Sequence, residues 1–150
     1  MWRTNALLAL QAFQVVFLWL HDWVPVPPLN DVKAVHDLDG TGGLLRITLI
    51  QAAPFTVGLV FSALTIGHPY PHWLFDWLWI SYGILFVGQL QAWWLPYLFG
   101  ASAKRVQRNR VMFGRTHSFL PERNGIVPNT LHCLLHAATL ATLIILLAGS

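Results

Sequence analysis

The sequence predicts an all-α integral membrane protein: a bundle of four transmembrane helices, with a short interfacial helix after the first span and a long basic cytoplasmic loop before the last. Three observations predict it. Hydrophobic residues make up 55% of the 150-residue chain and charged residues only 10%, against about 25% charged in ordinary soluble domains. Four apolar stretches each approach the roughly 20 residues that cross about 30 Å of hydrocarbon. The lysines and arginines collect in one loop instead of spreading along the chain, as in a multi-pass membrane protein. A mean hydropathy of +0.54 agrees. Spans and connections use all of residues 1–150, so a single transmembrane domain is expected.

The first span covers about residues 6–23, interrupted by Gln11 and Gln14. Its start resembles a secretory leader, but the run ends in His21-Asp22-Trp23-Val24-Pro25 without a small-residue cleavage site, so an uncleaved span is expected. The prolines at 25, 27 and 28 stop it, because proline cannot continue a helix. Asn30 reads as the cap of a short amphipathic helix, Asp31 to Leu38, lying among the headgroups. Gly40-Thr41-Gly42-Gly43 ends it, and Asp37-Leu38-Asp39-Gly40-Thr41 reads as a turn with helix-ending glycines. The second span covers about 44–66, with Gln51 and Pro54 inside, and Gly67-His68-Pro69-Tyr70-Pro71 is a tight turn. The third covers about 72–95, with His72 and Asp76 placed to pair at i and i+4, and Pro96 closes or kinks it. Residues 100–128 read as a polar loop. The last span covers 129–148, capped by Asn129.

The last loop carries Lys104, Arg105, Arg108, Arg110, Arg115 and Arg123, and the first carries Lys33 and Arg46. Both are therefore expected on the cytoplasmic side, leaving the amino and carboxyl termini non-cytoplasmic. This also accounts for the formal charge of +3 and a pI near 9.5 without a nucleic-acid partner. The single Cys133 lies in a span and forms no framework of disulfides within one chain.

Polar residues are costly at membrane depth and are often kept for function. Placed in register, the spans gather His21, Asp22, Arg46, Gln51, Gln89, His132 and His136 in the cytoplasmic half. His132 and His136 stand at i and i+4 and share a helix face. Together with His21 and Asp22 they are the candidate catalytic set, by acid–base or metal-assisted chemistry. A metal held by His132, His136 and His21 would be a transition ion, and haem would use the same neutral imidazoles. Arg115, His117 and Arg123 in the last loop, with Arg46, Gln51 and Gln89, are the candidate substrate-binding residues, the cations suiting a phosphate or carboxylate.

The expected function is a small membrane-embedded enzyme acting on an amphiphilic, lipid- or isoprenoid-like substrate. The bilayer and that amphiphile are its expected partners, with a homo-oligomer as the assembly. Two alternatives compete: a homo-oligomeric transporter or channel for a small ion or solute, and a membrane scaffold that binds a partner through its basic loop. Small residues on the last span (Ala137, Ala141) suit close helix contact within or between protomers.

Overall fold

The computed structural model describes residues 2–148 and is all-helical, without a strand among the described residues. Helix α1 runs Trp2–Leu20, α2 Val32–Leu64, α3 His72–Gln89, α4 Leu95–Phe99, α5 Ala103–Phe113 and α6 Thr130–Leu147. A π-helical turn, Leu90–Trp94, joins α3 to α4. Three helices, α1, α2 and α6, are long and apolar enough to cross a membrane, which makes this a multi-pass membrane protein. Helix α3 is absent from that set because His72, Asp76, Gln89 and its tryptophans dilute its hydropathy, although tryptophan suits a membrane interface.

Helices α1, α2, α3 and α6 form a ring in which each packs on two others. Paired residues show that neighbours run antiparallel. Trp19 on α1 and Trp23 in the turn after it donate their indole N–H to Thr56 (3.0 Å) and Thr48 (2.9 Å) on α2, so rising numbers along one segment meet falling numbers along the other. Phe55 meets Tyr82, and Phe61 meets Trp73, in the same sense between α2 and α3. Arg3 at the start of α1 donates to the carbonyl of Ala148 at the end of α6 (2.6 Å). The apolar core between them includes Leu7, Leu18, Ala52, Leu74, Leu78 and Leu135.

Several boundaries fall where the residues put them, and others correct the expectation. The interfacial segment ends at Gly40, whose φ of 67° breaks α2 in two; helix resumes at once, so Gly42 and Gly43 belong to the long helix and not to the turn. Asp31, not Asn30, caps the segment, accepting from the Ala34 N–H at 3.0 Å. Asn30 instead closes the proline turn, accepting from Val26 N–H and donating to the carbonyls of His21 and Val24. Proline 96 neither ends nor sharply breaks the third helix. It lacks an N–H and would crowd the carbonyl four residues back, and the π turn just before it widens the register, with Leu95 N–H bonding Leu90 O. The loop expected over 100–128 contains α5. Ser102 caps it through the Arg105 N–H, and its lysine, arginine, glutamine and methionine residues are good helix formers. The His72–Asp76 pairing is not formed: both side chains are exposed, and the four ion pairs among the described residues leave Asp76 out.

Gly58 sets how closely α2 and α3 approach. A Cβ there would stand 2.9 Å from Leu78, which is 1% exposed and has no room to retreat. Gly58→Val should therefore destabilise the bundle by about 1–3 kcal/mol through overpacking. Thermal denaturation in detergent checks this against Gly83→Val, where a Cβ meets nothing within 4 Å.

Candidate functional site

A cavity of about 760 Å³ lies where the end of α1, the start of α2, the end of α3 and the start of α6 converge, and α5 lines another side. His21, Asp22, Gln89, His132 and His136 all line it. Leu18, Leu44, Phe55, Trp93, Met112 and Phe113 supply apolar wall. Ile50, Gln51 and Ile84, which are exposed, lie along its side between α2 and α3, so the cavity reaches the outer surface of the bundle there.

The hydrogen bonds determine where protons sit. Nδ1 of His132 stands 3.1 Å from Oδ1 of Asn129. That amide cannot be reversed, since its nitrogen donates to the Leu29 carbonyl at 2.7 Å and to Thr116 Oγ1 at 2.7 Å. Its oxygen can only accept, so Nδ1 of His132 carries the proton and Nε2 keeps a lone pair. The ring is stacked on Trp93 (centroids 4.6 Å apart) and meets Phe17 and Phe113 edge-on.

His21 is poised differently. Its Nδ1 faces the Phe17 carbonyl at 2.9 Å and must donate to it. Its Nε2 stands 3.2 Å from Oδ2 of Asp22. A carbonyl on one side and a carboxyl on the other leave one further proton to be shared: either His21 is an imidazolium beside a carboxylate, or Asp22 is a neutral acid donating to Nε2. Asp22, in the turn beyond the end of α1, is held above the ordinary carboxylate range by burial first. His21 pulls it down and Asp39 pushes it up. The rings of His21 and His132 meet edge to face with centroids 5.4 Å apart. A proton-holding pair thus adjoins an imidazole with a free lone pair, inside an aromatic enclosure.

His136 lies one turn deeper, 6% exposed, with Nδ1 unpartnered in the protein. Among the described residues no three His, Cys, Asp or Glu side chains are grouped so as to hold a metal ion. Nδ1 of both His21 and His132 faces a protein oxygen, which leaves Nε2 as the nitrogen through which either imidazole could reach a ligand.

Below the cavity a buried polar column ties the helices together. Gln14 Nε2 donates to the Leu10 carbonyl (3.1 Å) and to Thr142 Oγ1 (2.9 Å), which fixes its oxygen toward Thr139. Thr139 Oγ1 donates to that oxygen at 2.9 Å and so accepts from Gln89 Nε2 at 3.0 Å. Ser62 on α2 donates to Gln11 Oε1 at 3.1 Å. Gln11, Gln14, Ser62, Thr139 and Thr142 are 0% exposed.

The remaining expected binding residues are dispersed. Arg46, Arg115 and Arg123 are exposed and do not line the cavity. His117 is a fastener: its ring bonds Thr130 Oγ1 (2.8 Å), while its backbone joins the Pro28 carbonyl and the Thr130 N–H. Sequence reasoning missed Asn129 as the group that orients His132, Trp93 as its stacking partner, and the α5 face carrying Arg105, Arg108, Asn109 and Met112. The spacing of those four, i, i+3, i+4 and i+7, is a helical stripe and was the available signal. Also missed was Asp39, whose two carboxylate oxygens accept from Arg108 at 2.7 and 2.6 Å, joining the segment before Gly40 to α5. The chain matches no protein-family model, no curated protein and no solved structure.

Proposed function

We propose that this is a small membrane-embedded enzyme that takes an amphiphile into the cavity from the bilayer and transforms it by acid–base chemistry. His132 Nε2 is the base, and the His21–Asp22 pair holds the proton that is returned. The observation that carries this reading is the juxtaposition, within one apolar-walled cavity, of an imidazole held in a single tautomer and a carboxyl–imidazole pair that shares a proton. General acid–base groups need this complementarity of one empty and one loaded site. The apolar walls suit a hydrocarbon chain, and the lining at Ile50, Gln51 and Ile84 offers a lateral way in.

The reading includes four crossings. The hydrogen bond from Arg3 to Ala148 brings the start of α1 and the end of α6 to one end of the bundle, which supports an even number. Helix α3, the π turn and α4 supply the fourth, running from the end that holds His72 to the end that holds Trp93. The concentration of cations around the cavity supports a cytoplasmic position for it, with both termini opposite.

A transport reading draws on the polar column and on a second cavity of about 610 Å³ lined by Arg3, His68, Tyr70 and His72 at the far end. It is the weaker of the two. The column contains amides and hydroxyls but no titratable group, and Thr142 Oγ1 ends it by donating to the Ala138 carbonyl at 2.8 Å. Its geometry is that of interhelical hydrogen bonding.

The test is conversion. Protein reconstituted in vesicles made from a total lipid extract is incubated, and the lipids are compared by mass spectrometry. The wild type should generate a product that His132→Gln does not. Identical lipid profiles for both, across extracts from several sources, would overturn the enzymatic reading, and proton flux through the wild type would favour transport instead.

A further inference from the structure

The charged groups on the cavity wall do not cancel. Two aspartates and two arginines line it: Asp22, Asp39, Arg105 and Arg108. Asp39 is occupied by Arg108 through both oxygens, and Asp22 faces His21. Arg105 is left without a carboxylate among the described residues. Its only hydrogen bond from the guanidinium is a long one, 3.4 Å from Nη1 to the Gln91 carbonyl. A guanidinium presents five donors in a planar fork that matches a carboxylate or phosphate, and Arg105 is exposed at the α5 edge of the cavity, where that fork is open to a ligand. Met112, two turns along α5, and Phe113 line the same cavity, so cation and hydrocarbon surface are offered together.

We infer that the cavity selects an amphiphile with an anionic headgroup, a carboxylate or phosphate carried on an acyl-type chain, and that Arg105 is the residue that reads the charge. This rests on the amphiphile-cavity reading above and adds the class of its substrate. The headgroup bridges to Arg105 at the α5 side, the chain lies along Leu44, Phe55 and Leu135, and the segment next to the headgroup passes the His21–His132 pair.

Binding can be read without turnover. Trp93 lines the cavity, and bromine on an acyl chain quenches indole emission on contact. The protein is placed in phosphatidylcholine vesicles doped either with dibromo-acyl phosphatidic acid or with dibromo-acyl phosphatidylcholine, and the Trp93 contribution is isolated by subtracting the Trp93→Phe variant. The anionic probe should quench Trp93 at about fivefold lower content than the zwitterionic one, the scale of one partly exposed charge-assisted contact. Arg105→Gln should remove that preference and leave zwitterionic quenching unchanged, and Arg105→Lys, which keeps the charge but not the fork, should retain part of it. Equal quenching by both probes, or an undiminished preference in Arg105→Gln, would overturn the inference. So would loss of the preference on adding inorganic phosphate at the same concentration as the lipid, because the chain would then contribute nothing. If zwitterionic probe alone quenches Trp93, the charge selection fails and the amphiphile cavity stands; if neither does, the cavity reading itself fails.

Discussion

His132→Gln is expected to lower turnover of the bound amphiphile by about a thousandfold, within the range contributed by a positioned general base, with little change in the helical fold. Glutamine retains polarity but has no lone pair of comparable basicity. The effect depends on the tautomer, and so on Asn129, whose amide is locked by the Leu29 carbonyl and Thr116. Asn129→Asp keeps the acceptor toward Nδ1 and the helix cap but sets a carboxylate oxygen against the Leu29 carbonyl to which the amide donated, so it should retain part of the activity at a cost in stability. Asn129→Ala loses both and should fall between wild type and His132→Gln. The dependence of kcat/KM on pH separates the roles. His132 works only while neutral, so activity falls as pH drops through its protonation. The His21–Asp22 pair works only while loaded, so activity falls as pH rises through release of its shared proton. Burial raises the Asp22 carboxyl, which moves that second limb above the ordinary carboxylate range. Asp22→Asn should abolish the high-pH limb as well as lower the rate. An unaltered profile in Asp22→Asn would remove this pair from the mechanism.

Gln14→Leu is expected to destabilise the bundle by about 2 kcal/mol, from two interhelical hydrogen bonds of the size found between membrane helices together with the cost of leaving buried hydroxyls without those partners. Gln14 is the junction of the column: it bonds Thr142 and Thr139 on α6, and through Thr139 it is linked to Gln89 on α3. Its removal loosens α1, α3 and α6 together. The exposed Gln51→Leu should change stability by no more than about 0.5 kcal/mol. Unfolding in bicelles, followed by tryptophan emission, measures both. Equal effects at the two positions would show that the column contributes no more than surface polarity.

Much of this architecture was legible because hydropathy is a local property. The runs at residues 6–20, 44–64 and 130–147 are apolar whatever packs on them, and Gly40 and Asn129 mark a break and a cap through their own backbone and side-chain chemistry. Helix α5 was hidden by the same logic. Its residues are polar, and the reading that identified spans by hydropathy classed it with the loop, although its helix formers and its i, i+3, i+4, i+7 stripe were visible. Within the candidate site, the convergence of His21, Asp22, Gln89, His132 and His136 followed from register alone. The arginines did not follow, because register gives height along the bundle and not direction around a helix or the path of a loop. Arg46 sits at the expected height but faces outward, and Arg115 and Arg123 belong to a loop held away from the cavity by His117 and Thr130.

Gln11 and Gln14 show the boundary most plainly. In the sequence they are two interruptions of an apolar run. In the bundle they are bonded to Ser62, Thr139 and Thr142, residues that no local pattern connects to them. The sequence by itself determined a helical chain for a membrane, its punctuation, and the end of the bundle where its histidines collect, since each of these depends on neighbours within a turn or two. The folded bundle adds the Asn129 oxygen that faces Nδ1 of His132, the approach of Asp22 to Nε2 of His21, and an Arg105 without a carboxylate partner among the described residues. His21 and Asp22 are neighbours in the chain and Asn129 lies three residues before His132, but the amide of Asn129 is oriented by the carbonyl of Leu29, 100 residues away, a contact with no counterpart in either residue's local sequence.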